Sequence, residues 1–223
     1  MGDGRPLVMK KLFIFSSVLL VVGLGYGVYG SFQGQDLSDI DGYDETDREP
    51  RPSDVSIMIG MAARLRQSVE ISERQMNTWL ANNIKVRQEG QLADHVKLKG
   101  VWVRFEETEG GRAEIIIERE VEGRPHTVSM FIRVERKKKE DGTFTNYIHK
   151  DGGAFLNILA IGGRFGQVRV PQGFLLFTQE SFGSLSDLFE TEIGWIKKEI
   201  IKEAAGRVIF EDGKMRIDFP IKK

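Results

Sequence analysis

The sequence predicts an α+β protein: one N-terminal transmembrane helix, then a single domain in which an antiparallel sheet packs against amphipathic helices. Three observations predict it. An uncharged apolar run occupies residues 12–30, period-two alternation dominates residues 101–148, and three-and-four spacing of apolar residues marks segments on either side of that alternation. The domain limits that follow are a cytoplasmic N-terminus (1–11), a membrane anchor (12–30), an acidic flexible tether (31–52) and an extracytoplasmic α+β domain (53–223).

The anchor, Leu12 to Gly30, spans about 28 Å as a helix, close to the hydrocarbon thickness of a bilayer. Arg5, Lys10 and Lys11 precede it. Asp36, Asp39, Asp41, Asp44, Glu45, Asp47 and Glu49 follow, with Arg48 among them. Positive flanks stay in the cytoplasm, so the bulk of the chain is expected across an inner (cell) membrane, periplasmic or extracytoplasmic. A cleaved signal peptide is the competing reading, with Val28 and Gly30 as small residues before a cut at Ser31, although the apolar run exceeds the usual core of such a peptide. Gly23, Gly27 and Ser31 recur every four residues, a spacing that lets two membrane helices approach closely, so a weak homodimer through Gly23 and Gly27 is an expectation.

Residues 31–52 are polar and acidic, and by composition they bury too little apolar surface to offset the entropy of ordering. A flexible chain of that length reaches roughly 25 Å, holding the domain near the bilayer.

The domain opens on a helix carrying Val55, Met58, Ile59, Ala62, Leu65 and Val69, with Ser53 as its cap. A sharper start follows. Ser72 and Gln75 form a capping box, Ile71 and Met76 the staple around it, and Met76, Trp79 and Leu80 form the stripe behind, with Asn77 and Asn83 off it. Val101, Val103 and Phe105 alternate with polar partners, Ala113 to Val121 centres on three isoleucines, and Val128, Met130, Ile132 and Val134 alternate up to Arg136–Lys139. Asp141-Gly142 is a hairpin turn, and Phe144 to Ile148 completes a meander of about five strands in one sheet. Val168 and Val170 suggest a further short strand. A helix follows with Phe182, Leu185, Leu188, Phe189, Ile193, Ile196 and Ile200 on one face, then a closing hairpin around Asp212-Gly213.

Composition narrows function mainly by exclusion. With 32 basic and 33 acidic side chains, no general basic field points to nucleic acid. The absence of cysteine excludes disulfides and thiolate metal sites. His95, His126 and His149 fall in separate segments without metal-ligand spacing, and Asp39-Ile40-Asp41 lies in the expected tether, where nothing rigid orients it. Gly162-Gly163-Arg164-Phe165-Gly166 lacks the lysine and spacing of a phosphate loop and reads as a turn. Arg136–Lys139 reads as a solvated hairpin tip flanked by Glu135, Glu140 and Asp141, or as a contact for anionic headgroups. No catalytic, cofactor or metal residues are assigned, no cofactor is expected, and the chain is read as not an enzyme.

Large apolar residues crowd the segment holding Phe155, Leu156, Ile158, Leu159, Ile161, Phe174, Leu175, Leu176, Phe177 and Phe182. They make either an ordinary core or a curved sheet wrapped on a helix with a slot for an acyl chain or a partner's apolar segment. Ile71-Ser-Glu-Arg-Gln-Met-Asn-Thr-Trp-Leu80, Gly166-Gln-Val-Arg-Val-Pro171 and the Glu211-Asp-Gly-Lys214 turn together resemble N-terminally anchored bacterial envelope proteins. Some of these have curved-sheet domains similar to tubular lipid-binding (BPI-like) modules. That resemblance spans residues 54–219 and implies handling of lipid or another apolar ligand. The functional expectation is therefore a membrane-tethered extracytoplasmic domain that binds an apolar ligand or lipid in the bacterial envelope. The alternative is a protein-interaction or scaffold subunit of an envelope complex.

Overall fold

The computed structural model describes residues 5–48, 54–84, 96–142, 144–151, 160–171 and 206–219. The apolar segment 152–159 and the amphipathic segment expected from Phe182 to Ala204 lie outside the described residues, as does His95.

Helix α1 (Arg5–Ser31) is longer than the apolar run that predicts it, and its Met9–Ser31 portion is long and apolar enough to cross a membrane. The side chains from Leu12 to Tyr29 are exposed, with no packing partner in the rest of the described residues. An added Cβ at Gly23 or Gly27 would touch nothing, so both lie on open helix surface.

Helix α2 (Val55–Leu65) starts one residue later than expected. Asp54 rather than Ser53 caps it, accepting from the backbone N–H of Ser56 at 2.9 Å and Ile57 at 3.4 Å. It stops at Arg66, whose φ of 54° places it in the left-handed region. Val69 therefore belongs not to this helix but to strand β1 (Val69–Ser72). Helix α3 (Glu73–Asn83) has the anticipated capping box: Gln75 N–H donates to Ser72 Oγ at 3.1 Å, and Ser72 N–H to Gln75 Oε1 at 3.0 Å.

The described residues form two antiparallel sheets where a single one is expected. The larger has the order β2 (Val96–Glu106), β3 (Arg112–Val121), β4 (Arg124–Lys138), β6 (Ile161–Phe165), β7 (Val168–Pro171). Strand β5 (Phe144–Lys150) also pairs with β4, along Ile132–Lys138, while β6 pairs along Val128–Met130 of the same edge. The smaller sheet has the order β1, β9 (Lys214–Asp218), β8 (Arg207–Glu211). The closing hairpin thus has the predicted turn but pairs with a strand hidden in the linker between the two helices. Among the described residues the larger sheet is open, with β2 at one side and β7 at the other.

Alternation divides the larger sheet into two faces. One carries Val101, Val103, Phe105, Ala113, Ile115, Ile117, Val128, Met130 and Ile132, as their pairings require. Trp79 and Leu80 of α3, with Phe210, Met215 and Ile217 of the small sheet, join Val103, Phe105 and Ala113 in the main core, and Phe105 stacks on Phe210 at 5.6 Å. The other face carries Trp102, Arg104, Glu114, Ile116 and Ser129.

That second face overturns the expectation of a free tether. Within residues 31–48, Leu37 and Ile40 are buried against Trp102 and Ile116, and Tyr43 meets the Trp102 ring edge-on at 5.0 Å. Trp102 Nε1–H and the Tyr43 hydroxyl donate to the two oxygens of Glu118 at 2.9 and 3.1 Å. Composition mispredicts this segment because it averages: two well-placed aliphatic residues and one tyrosine suffice to dock an otherwise polar chain.

Candidate functional site

Three polar assemblies organise the sheet. The first closes its β2 edge, where unpaired backbone groups would otherwise invite another strand. Asn77, buried on α3, donates from Nδ2 to the Val103 carbonyl at 2.9 Å and accepts at Oδ1 from Val103 N–H at 2.7 Å. One turn earlier, Glu73 accepts from Phe105 N–H at 2.8 Å and from Asp41 N–H at 3.1 Å. Asn77 also donates to the Asp41 carbonyl at 2.9 Å. From the far side, Gly213 N–H donates to the Phe105 carbonyl at 3.3 Å, and Glu107 N–H to Asp212 at 2.8 Å. Burial pushes the Glu73 carboxyl above its ordinary pKa, against the pull of its two backbone donors. Glu73, Asn77 and the Asp212-Gly213 turn, which belong to two of the sequence motifs singled out above, therefore meet at one strand edge as a structural joint.

The second assembly covers the polar face. Glu114 is fully buried, paired with Arg104 at 2.9 Å and Arg164 at 3.2 Å, and accepts from the Ser129 hydroxyl. Arg104 reaches on to Asp39 at 2.6 Å. Arg112 pairs with Glu106 at 2.5 Å and lies over the Phe131 ring at 4.0 Å, while Arg133 holds Asp151 at 2.8 Å. Arg104, Arg112, Arg133 and Arg164 are thus answered by Asp39, Glu106, Glu114 and Asp151. Such a mutually neutralised network keeps little charge for a ligand.

The third assembly joins the end of α1 to the larger sheet. The β6–β7 turn abuts the end of α1: Gln167 N–H donates to the Gly30 carbonyl at 3.1 Å and Gly166 N–H to the Thr127 carbonyl at 2.8 Å. Gln35 N–H donates to the Thr127 hydroxyl at 2.8 Å. Gly166 has φ 52°, and a Cβ there would stand 2.1 Å from the Gln33 carbonyl oxygen, so only glycine admits this approach. The expected turn over Gly162–Gly166 narrows to Gly166 and Gln167, with Gly162 to Phe165 inside β6.

The remaining sequence candidates separate. His149 Nε2 stands 2.9 Å from Glu135 on the β4–β5 hairpin, whereas His126 lies on the apolar face of β4. Among the described residues no group of three His, Asp or Glu side chains could hold a metal ion. Arg136 to Lys138 belong to β4 rather than to a loop. Arg136 lies over Phe144 at 4.0 Å, and Lys137 pairs with Glu135 at 3.3 Å. Asp39 and Asp41 are tied to Arg104, Glu73 and Asn77.

Two features escape sequence reasoning. Arg119 and His126 are direct partners across β3 and β4, on the apolar face, at the end of the sheet that meets the end of α1. Burial pushes both below their ordinary pKa, and the Arg119 charge adds to the effect on His126. The outward side of α2 is also apolar: Ile57, Met61 and Leu65 are 58, 56 and 61% exposed. The i, i+4, i+8 spacing of that stripe was visible, but only packing shows that Val55, Ile59 and Ala62 face inward.

Comparison with known proteins finds no match to the chain among family models, curated proteins or solved structures.

Proposed function

We propose that this is a membrane-anchored, non-catalytic extracytoplasmic domain that binds an apolar ligand, a lipid first of all, at the anchor end of its sheet. The observation that carries the reading is the junction itself. The Gln167–Gly30 bond brings the end of a helix suited to lipid against the sheet end where Leu98, Phe165 and Val168 are only half-buried. A lipid leaving the outer leaflet would meet apolar side chains there first. The charge flanking α1 supports placement of the N-terminus in the cytoplasm and the domain in the envelope.

The test is mass spectrometry of lipid retained by the full chain after detergent extraction and extensive exchange. A defined lipid should remain in near-stoichiometric amount, above the level kept by an unrelated single-span protein; parity with that control would remove the reading. A reporter fused after Lys223 should be active only outside the cytoplasm.

The α2 stripe favours a second reading, a docking subunit of an envelope complex. Three exposed large apolar residues in a row on one helix face are unusual for a surface meant for water alone. A photo-crosslinker at Met61 should then give one discrete protein adduct in native membranes, and this adduct should vanish when Ile57 and Leu65 become serine.

A further inference from the structure

Arg119 stands opposite Leu98 on β2 and His126 on β4, and directly paired residues share a sheet face. It therefore places a guanidinium on the apolar side, in line with Leu98 and Ile117. Its Nε and Nη2 are withdrawn from solvent without a hydrogen-bond partner, and so is Nδ1 of His126. Among the described residues no carboxylate pairs with Arg119. The contrast with the opposite face is direct: Arg104, Arg112, Arg133 and Arg164 each have an acid within 3.2 Å. A buried guanidinium cannot shed its charge, so an unanswered one is held at a cost in stability that a bound anion would relieve.

Location narrows the class of anion. Pro125 and Thr127, on either side of His126 along β4, turn to the opposite face and meet Gly34 and Gln35 there, whereas on the face of Arg119 and His126 the end of α1 is met by Val168, the partner of Phe165, which lies against Gly30. Leu98 and Phe165, both half-buried, flank the pair on β2 and β6. A small hydrated anion would gain nothing from those side chains, whereas an acyl chain would.

Building on the apolar-ligand reading above, we propose that Arg119 and His126 hold the anionic head of an amphiphile whose acyl chain lies against Leu98 and Phe165. The shared chemistry is a carboxylate or phosphate on a long alkyl chain, taken from the adjoining leaflet. Arg119 supplies charge and two donors in fork geometry, and His126 supplies the open Nδ1 beside it.

The test uses the full chain in non-ionic detergent, with native mass spectrometry and thermal melting, and four probes: palmitate, palmitoyl-lysophosphatidate, hexadecanol and inorganic phosphate. The wild-type chain should retain at least one anionic amphiphile about tenfold or more over hexadecanol, the scale of a charge-assisted hydrogen bond. Preference for palmitate assigns a carboxylate head, and preference for lysophosphatidate a phosphate head. Arg119→Gln should abolish the preference while leaving the ligand-free Tm unchanged or higher, because an uncompensated charge has been removed. Equal retention of hexadecanol and palmitate by both chains would overturn the head-group site and leave the apolar-ligand reading standing. Retention of no amphiphile would overturn both. Phosphate binding as tightly as lysophosphatidate would replace the amphiphile with a simple anion. A lowered Tm in Arg119→Gln with the preference intact would make Arg119 a structural residue and sink the proposal.

Discussion

Asn77 and Val103 complete one another: the side-chain amide of a helix residue both donates to and accepts from the backbone of a single edge-strand residue, at 2.9 and 2.7 Å. The pair replaces the strand that β2 lacks on that side. Both backbone groups are buried, and each would cost about 1–3 kcal/mol if left unmade. Asn77→Leu should therefore destabilise the domain by about 2–4 kcal/mol. Asn77→Asp should lose the donor half and retain part of the acceptor half. Chemical denaturation of the full chain in detergent, followed by tryptophan fluorescence, checks both. Wild-type stability in Asn77→Leu would show that the edge is satisfied by water instead.

Glu114 anchors the polar face. Removing it leaves Arg104 and Arg164 without their shared buried partner, and breaking such a pair costs about 3–5 kcal/mol. Glu114→Ala should unfold at markedly lower denaturant. Restoring neutrality with Arg164→Met in the same chain should recover part of the loss. Additive losses from the two changes would mean that the groups do not act as a unit.

Gly166 seats the end of α1. Gly166→Ala puts a side chain into the backbone of residues 30–33 and adds left-handed strain of about 1–2 kcal/mol. The expected result is local: hydrogen exchange at Gln167 and protease cleavage within residues 31–48 rise, while protection of Val103 and Ile117 holds. Unchanged cleavage in that segment would mean that it is fastened by Leu37 and Ile40 alone.

Asp54 caps α2, and its hydrogen bonds, first of all that from the Ser56 hydroxyl, hold the carboxyl below its ordinary pKa of 3.8. A depressed folded pKa gives stability that is fully present above the unfolded value and fades as pH falls through the folded one. Asp54→Ala should cost about 1 kcal/mol at neutral pH. The difference between the two chains should shrink below pH 3.8, a window that acid titration of the melting temperature reveals. A constant difference down to the acid limit would show that the cap works without its charge.

Much of the frame was legible along the chain because its signals are local. The Ser72–Gln75 box, the Asp141-Gly142 and Asp212-Gly213 turns and the alternation through Val128 to Val134 each depend on residues within a turn of one another. The second sheet was not legible, because Val69 reads as the tail of one helix and Ile71 as the staple of the next until β9 supplies their hydrogen bonds. Ser53 gave way to Asp54 for a similar reason, since either residue type can cap and only the path of the chain selects one.

By itself, the sequence determined the apolar helix at the N-terminus, the α+β class and most strand positions, since hydrophobic period and turn chemistry act over a few residues. Tertiary structure alone decided that the acidic segment after α1 is packed, that Glu73 and Asn77 close an edge, and that Arg119 meets His126 on the apolar face of the larger sheet. Those outcomes rest on contacts between residues far apart in the chain. Whether a charge is answered or left open is a property of the neighbours that folding brings to it.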